Sequence, residues 1–454
     1  MAVKRESVRI SGQETTQGAH NVISVALLST VLFFDWQLIL IPLITGLIGY
    51  GTNWVAIRFL FRPLNFIGVR VPWMKAFAPM LPRKIQQIPG AMQGKVGWQG
   101  IIPSRSGKMG SIAAEKGIAK IASEREFYER FDPERIATHM VANSREEVRE
   151  LTEEILQSEY PELWQSMPAQ VRELIHVRIQ RQLPRIAEDI TEQIGDNIDE
   201  LLDVNMMITN HLEDHPELVN RLFLEVGDRE LRFVIRSGFY IGTFLGVFLI
   251  PLFLVIDQWW VLPLGGVVVG YMTNWIALKL IFNPIEERRL GPIRLQGLFI
   301  KRQPTAAEVY AEIVADEIVT IGNVADNLMY GRQSDRTRKM IRDAIRPEVD
   351  RTVGLAGPIV RLTSGDRQYE RIREAFATES IDTTMDPLRD PEFNEERSEA
   401  IRELMTTRIK ALPPEGFVGL LRPAFEEDEW MLILLGAVLG FVAGWLQLLV
   451  VTGL

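Results

Sequence analysis

Polar and apolar positions along the chain segregate into blocks. Long apolar runs alternate with stretches dense in charge. One run covers residues 36–61, where Thr52, Asn53 and Arg58 interrupt it near the end. Residues 237–256 and 259–282 form two more, parted by Asp257 and Gln258, and residues 430–451 form a fourth that carries no ionisable side chain. About 20 apolar residues, rising roughly 1.5 Å each as a helix, cross a bilayer core. Each run therefore predicts a transmembrane helix. Residues 237–282 predict a helical hairpin whose Trp259 and Trp260 suit the headgroup interface. The 13 apolar residues 22–34 are short for a span. They are an extra membrane helix, an interfacial lead-in or an extension of the next helix. Lys4, Arg5 and Arg9 precede them in the manner of a signal peptide, but no small-x-small cleavage site follows.

Basic residues set the expected orientation. Arg58, Arg62, Arg70, Lys75, Arg83 and Lys84 follow the first run, and Lys279, Arg288, Arg289, Arg294, Lys301 and Arg302 follow the third. Arg229, Arg232 and Arg236 precede the second run, whereas the opposite ends carry only Asp35 and Asp257. The large polar stretches are expected in the cytoplasm.

The same pattern occurs twice. Gly49-Tyr50-Gly51-Thr52-Asn53-Trp54-Val55-Ala56 matches Gly270-Tyr271-Met272-Thr273-Asn274-Trp275-Ile276-Ala277. At that offset Pro42 pairs with Pro263, Arg58 with Lys279, Phe61 with Phe282 and Pro63 with Pro284. Downstream, Trp98-Gln99-Gly100 pairs with Leu295-Gln296-Gly297, with residues 77–84 as a competing partner; a weaker third pairing joins Val171-Arg172-Glu173-Leu174 to Ile401-Arg402-Glu403-Leu404. Gly238, Gly242 and Gly246 match Gly436, Gly440 and Gly444 as ladders in four-residue steps. Such a ladder clears one helix face for close packing.

The expected fold is all-α: a polytopic helical membrane protein with two parallel-oriented repeats, four to five transmembrane helices and long helical cytoplasmic inserts. Residues 1–35 lead in. Unit one is 36–256 (helix 36–61, insert 62–235, helix 237–256). Unit two is 258–454 (helix 259–282, insert 285–429, helix 430–451). Tyr50, Thr52, Asn53, Trp54 and Arg58, with Tyr271, Thr273, Asn274, Trp275 and Lys279, are candidates either to join the repeats or to line a polar cleft, because an amide in a membrane helix is costly without partners.

In the inserts, Asp132-Pro133-Glu134 predicts a helix start and Ser144-Arg145-Glu146-Glu147 a capping box. Ile179, Leu183, Ile186, Ile190, Ile194, Ile198 and Leu201 form one apolar stripe, read as ordinary packing or as a coiled-coil-like arm for a partner or self-association, with a kink or break at Pro184. Residues 66–73 predict a short extended piece. Residues 144–203 hold fifteen Asp/Glu against six Arg, which disfavours anionic lipid. Basic residues elsewhere are candidate contacts to lipid phosphates: Lys84, Lys95, Arg105, Lys108, Lys301 and Arg302.

The composition narrows the class. With 454 residues, 50 Lys+Arg, 59 Asp+Glu, a net charge of -9 and no cysteine, the chain is neither a disulfide scaffold, a thiol enzyme nor a general nucleic-acid binder. The stretch from Gly100 to Met109 imitates a P-loop, but its glycine gap is wrong and Met109 stands where Ser or Thr is required. His211, Asp214 and His215 lack the Glu of a zincin, and Pro216 follows. No catalytic, cofactor-binding or metal-binding residue is assigned.

The element at 49–63, Gln99-Gly100-Ile101-Ile102-Pro103-Ser104-Arg105 and the stretch Glu225 to Gly238 together resemble a bacterial membrane family known as domain of unknown function 445. Unit one looks like a whole family unit. Unit two departs from it at Phe299-Ile300 and at Asp428-Glu429-Trp430. The resemblance implies an inner-membrane protein and carries no catalytic residue. The expected role is a non-enzymatic membrane scaffold or assembly factor. The alternative is a lipid- or solute-handling protein using the cleft between repeats. Membrane lipids, and protein partners or self-association through the arm, are the expected contacts.

Overall fold

A computed structural model describes residues 36–70, 95–159, 161–256, 258–290, 293–353, 371, 374–379, 381 and 385–452. Residues 22–34 and 77–84, Asp35, Lys75 and Asp257 lie outside the described residues. The chain is all-α apart from two short antiparallel ladders, β1 (Ile67–Arg70) with β2 (Lys95–Trp98) and β3 (Arg288–Leu290) with β4 (Ile293–Leu295). The extended piece expected from residue 66 is thus β1 as far as Arg70.

The chain forms two compact units, and each draws on both halves of the sequence. The membrane unit contains the helix residues up to Ile57, Arg232 to Leu278, and the chain from Trp430 on. Four helices are long and apolar enough to cross a bilayer: Leu40–Phe61, Asp228–Ile256, Val261–Phe282 and Glu429–Val450. Leu43, Leu47, Phe244, Phe248, Val438, Val442 and Leu446 are exposed on them. An apolar exterior is the surface that lipid requires. Ile41, Leu249, Leu262, Val269 and Leu448 meet in the centre, one or two from each helix.

The polar unit contains residues 58–231 and 279–429. Helix Val204–Asp214 packs on Ser106–Ile112, and Pro391–Ala411 packs on Gln303–Ile313. Both Ser106–Ile112 and Gln303–Ile313 run on into π-helical segments, Ala113–Ile118 and Val314–Ile318. The glycines that imitate a P-loop have a packing use: a Cβ on Gly100 would lie 2.7 Å from the Phe61 carbonyl carbon, and one on Gly107 2.9 Å from Glu213 Oε2.

Several local expectations change. Helix Ala169–Asp196 is unbroken at Pro184. Its stripe is spent inside the unit, where the helix packs against Pro133–Asn143 and Ser334–Val353 and buries Ile190 and Ile194. That burial outweighs one lost backbone bond. Asp132 caps its helix as expected, accepting from Arg135 N. Ser144 does not form a capping box. It closes the preceding helix at φ -90°, ψ 0°, and its buried hydroxyl has no partner among the described residues. An N-cap typically has extended backbone; Ser123 has it (φ -81°, ψ 166°) and forms the capping box with Glu126.

The third sequence pairing also fails. Val171 and Leu174 are exposed, whereas Ile401 and Leu404 are buried. The counterpart of Ile401, Leu404, Met405 and Ile409 is the buried set Val204, Met207, Ile208 and Leu212, on the helix that packs equivalently. By contrast, the Gln-Gly elements share their geometry. Gly100 N donates to Pro63 O and Gly297 N to Pro284 O, both at 2.9 Å. Gln99 Nε2 donates to Leu64 O (2.7 Å) and Gln296 Nε2 to Ile285 O (3.3 Å).

Candidate functional site

The polar residues of the membrane unit concentrate where the glycine ladders meet the Thr-Asn motif helices. In the first pair, a Cβ on Gly49 would lie 2.3 Å from Gly238 O, and one on Gly238 2.3 Å from Gly49 O. In the second pair, a Cβ on Gly270 would lie 2.1 Å from Gly436 O, and Gly266 and Gly440 each stand 2.1 Å from the other's carbonyl oxygen by the same measure. Gly242, Gly246 and Gly444 continue the contact against Thr45, Pro42 and Pro263. Backbones this close leave no room for a methyl group. The contact stabilises through dispersion and Cα–H···O interactions, since lipid offers little hydrophobic drive between helices.

Each motif asparagine fastens the same seam. Asn53 Nδ2 donates to Val234 O (2.8 Å), and Asn274 Nδ2 donates to Leu432 O (2.9 Å). Both residues are fully buried, and neither Oδ1 has a partner among the described residues. Thr52 Oγ1 donates to Gly49 O and Thr273 Oγ1 to Gly270 O, which satisfies each hydroxyl within its own helix. The amide bonds therefore join the two helices of one pair, not one repeat to the other as the sequence suggested. An asparagine one turn past a helix-packing glycine faces the helix which that glycine admits.

The bond that does link the pairs comes from Gln447. Its Nε2 donates to Ile41 O (3.2 Å) and to Thr45 Oγ1 (3.0 Å), while Thr45 Oγ1 donates to Ile41 O (2.6 Å). Gln447 and Thr45 are each 1% exposed. The only sequence signal was an amide in an otherwise apolar run. At the aligned place across the centre stand Leu249 and Gly266, with Leu249 packed on Gly265.

The other motif residues point elsewhere. Tyr50, Trp54, Arg58, Tyr271 and Lys279 are exposed, and Trp275 is half-buried. Positions 50, 54 and 58 share one helix face, opposite the face that holds Gly49, Asn53 and Ala56. They line no buried polar site. Within the membrane unit the described residues bury Thr45, Thr52, Asn53, Ser237, Thr273, Asn274 and Gln447, all of them neutral. Such a set can fix helices but cannot relay protons.

In the polar unit, Arg302 is withdrawn from the phosphate-contact candidates. It donates to Glu230 at 2.7 Å, and Glu230 is 4% exposed, so the guanidinium is held by a buried carboxylate. Lys108 and Lys301 are exposed and Arg105 is half-buried; Lys84 and the Lys95 side chain lie outside the described residues. His211 and His215 rings lie 4.8 Å apart, and His215 Nδ1 meets Glu217 Oε1 at 3.1 Å. Burial, then the neighbouring His215, holds His211 below the usual imidazole range. Burial pushes the Tyr310 hydroxyl well above its usual range; a Cβ on Gly117 would stand 2.8 Å from it.

Known proteins offer a narrow likeness. Two proteins named UPF0754 membrane protein, from Synechococcus sp. strains JA-2-3B'a(2-13) and JA-3-3Ab, are 33% and 32% identical to the chain over 95 residues. Each match covers 20% of this chain, which thus spans 23% of the length of those curated relatives. No family model matches the chain, and no solved structure does. The names and the four apolar helices agree on a membrane protein.

Proposed function

We propose that the chain is a membrane-anchored scaffold, not an enzyme, built by duplication of a helix pair with a polar insert. The repeated Asn-to-carbonyl and Gly-to-carbonyl contacts at aligned positions support the duplication, as do the repeated Gln-Gly elements. Kinship with the domain of unknown function 445 family belongs to the same reading. The basic flanks support polar inserts in the cytoplasm of a bacterial inner membrane.

One observation carries the choice of scaffold over solute handling. The centre between the helix pairs is filled by Ile41, Leu249, Leu262, Val269 and Leu448 and fastened by Gln447 to Thr45. A transport cleft between the repeats needs space and convertible polar groups at that place. A tight apolar centre suits an anchor whose polar unit carries salt-bridged helices to partners. Nucleic acid is not an expected partner, given the net charge of -9. Mild crosslinking followed by native mass spectrometry from lipid nanodiscs tests this. Stoichiometric co-purifying protein is expected. Isolation of the chain alone, with a solute bound between the helix pairs, contradicts it.

A further inference from the structure

The ladder β1–β2 stands directly at the end of a membrane helix and carries an apolar face that the polar unit leaves open. Ile67 is 68% and Val69 71% exposed, among the most exposed large apolar side chains of the described residues. They share one face, two residues apart on a strand. The register sets Ile67 opposite Trp98. Gly68 and Gly97 pair on the other face, where a Cβ on Gly97 would lie 2.2 Å from Ile67 O. An apolar face on a two-stranded ladder in water is a liability.

What lies next to that face is fixed by the ladder's own attachments. Trp98 Nε1 donates to Phe59 O (3.2 Å), and the two rings meet edge to face at 5.5 Å. Ile102 N donates to Leu60 O, and Gly100 N to Pro63 O. Phe59 and Leu60 belong to the last turn of the span Leu40–Phe61. The ladder is therefore bonded to the final turn of a bilayer-spanning helix, at the depth where aromatic and basic residues mark the headgroup layer. Phe59 and Leu64, each 39% exposed, extend the apolar surface beside it.

The aligned ladder β3–β4 differs. At the offset that pairs Phe61 with Phe282, Arg288 stands at the place of Ile67, while Leu290 stands at that of Val69.

We infer that β1–β2 is an interfacial wedge: Ile67 and Val69 enter the headgroup–acyl boundary of the bilayer. Insertion of this kind reaches about 5–10 Å below the headgroups. The occupant is the lipid surface itself, because the helix to which the ladder is bonded ends there.

The chain has no cysteine, so a single engineered thiol reports one place. Full-length Val69→Cys, with Ile67→Cys as a second variant, is labelled with an environment-sensitive nitrobenzoxadiazole dye and placed in nanodiscs of anionic and zwitterionic phospholipid. Glu150→Cys, on an exposed acidic helix, is the comparator. The wedge predicts blue-shifted emission at positions 69 and 67, quenched by lipids carrying a shallow doxyl group, while the dye at position 150 behaves as in water. Water-like emission at 69 and 67 with quenching by aqueous iodide overturns the inference. Blue-shifted emission indifferent to doxyl lipids also overturns it, since protein then covers the face.

Discussion

The two glycine-seamed helix pairs use one device with different tolerances. In the second pair, Cβ atoms on Gly266 and Gly270 would each lie 2.1 Å from a carbonyl of the facing ladder, Gly440 O and Gly436 O, a distance the first pair reaches only at Gly46 against the Thr243 hydroxyl. In the first pair, Thr45 occupies the place aligned with Gly266, and a Cβ on the facing Gly242 would stand 2.8 Å from Thr45 O instead of 2.1 Å. The first pair gives up some closeness and gains a hydroxyl, and that hydroxyl receives Gln447. Across the centre, the aligned place holds Leu249 against glycine. Two similar packings can thus differ at a single small residue, and one of them gains a polar fastening on one side only.

The largest expected effect lies where the halves of the polar unit differ. Arg302→Met leaves Glu230 buried without its cation and is expected to cost about 3–5 kcal/mol, whereas removal of the aligned, half-exposed Arg105 costs less. Thermal unfolding in detergent measures both. Equal losses would erase the contrast.

Next is the seam. Gly270→Leu forces a side chain against Gly436 O and is expected to cost about 1–3 kcal/mol or more, exceeding Gly242→Leu in the looser first pair. Denaturation in mixed micelles ranks the two. The reverse ranking would mean that the first pair is the tighter.

The asparagines sharpen the likeness between the pairs. Asn53→Ala and Asn274→Ala each lose one buried bond of the same length class and are expected to cost similar amounts, about 0.5–2 kcal/mol. Gln447→Leu removes the fastening between pairs, while Leu249→Met at the aligned place changes little. Double-mutant cycles with Thr45→Ala show whether Gln447 couples to Thr45, as the geometry requires.

The smallest effect is chemical. All five histidines lie before Pro216, so the second half has none. His211 is held below its ordinary range, so the unfolded chain binds that proton more readily. Stability contributed by its neutral form is present above about pH 6.5 and declines as pH falls through that value. His211→Gln is expected to flatten the decline between neutral and acidic pH. An unchanged slope would assign the acid sensitivity elsewhere.

Much of this fold is written in local pattern. Long apolar runs need no tertiary context, and a Thr-Asn pair beside a glycine implies burial. The direction of the amide was less legible. Asn53 serves Val234, 181 residues away, and only the seam of glycines hints at which helix comes close. Gln447 was harder still, because its partner Thr45 carries no motif. The break expected at Pro184 and the capping box expected at Ser144 failed for a shared reason: a local rule predicts what a segment prefers, and packing of the stripe at Ile190 and Ile194, or the end of a preceding helix, overrode it.

The membrane arrangement stands or falls with sidedness. Single cysteines placed at Gln258, between the second and third spans, and at Glu150, in the polar unit, can be probed in intact cells with a membrane-impermeant thiol reagent. Labelling of position 258 from outside, with position 150 reached only after lysis, is the predicted result. Labelling of both from the same side would contradict two helix pairs crossing the bilayer.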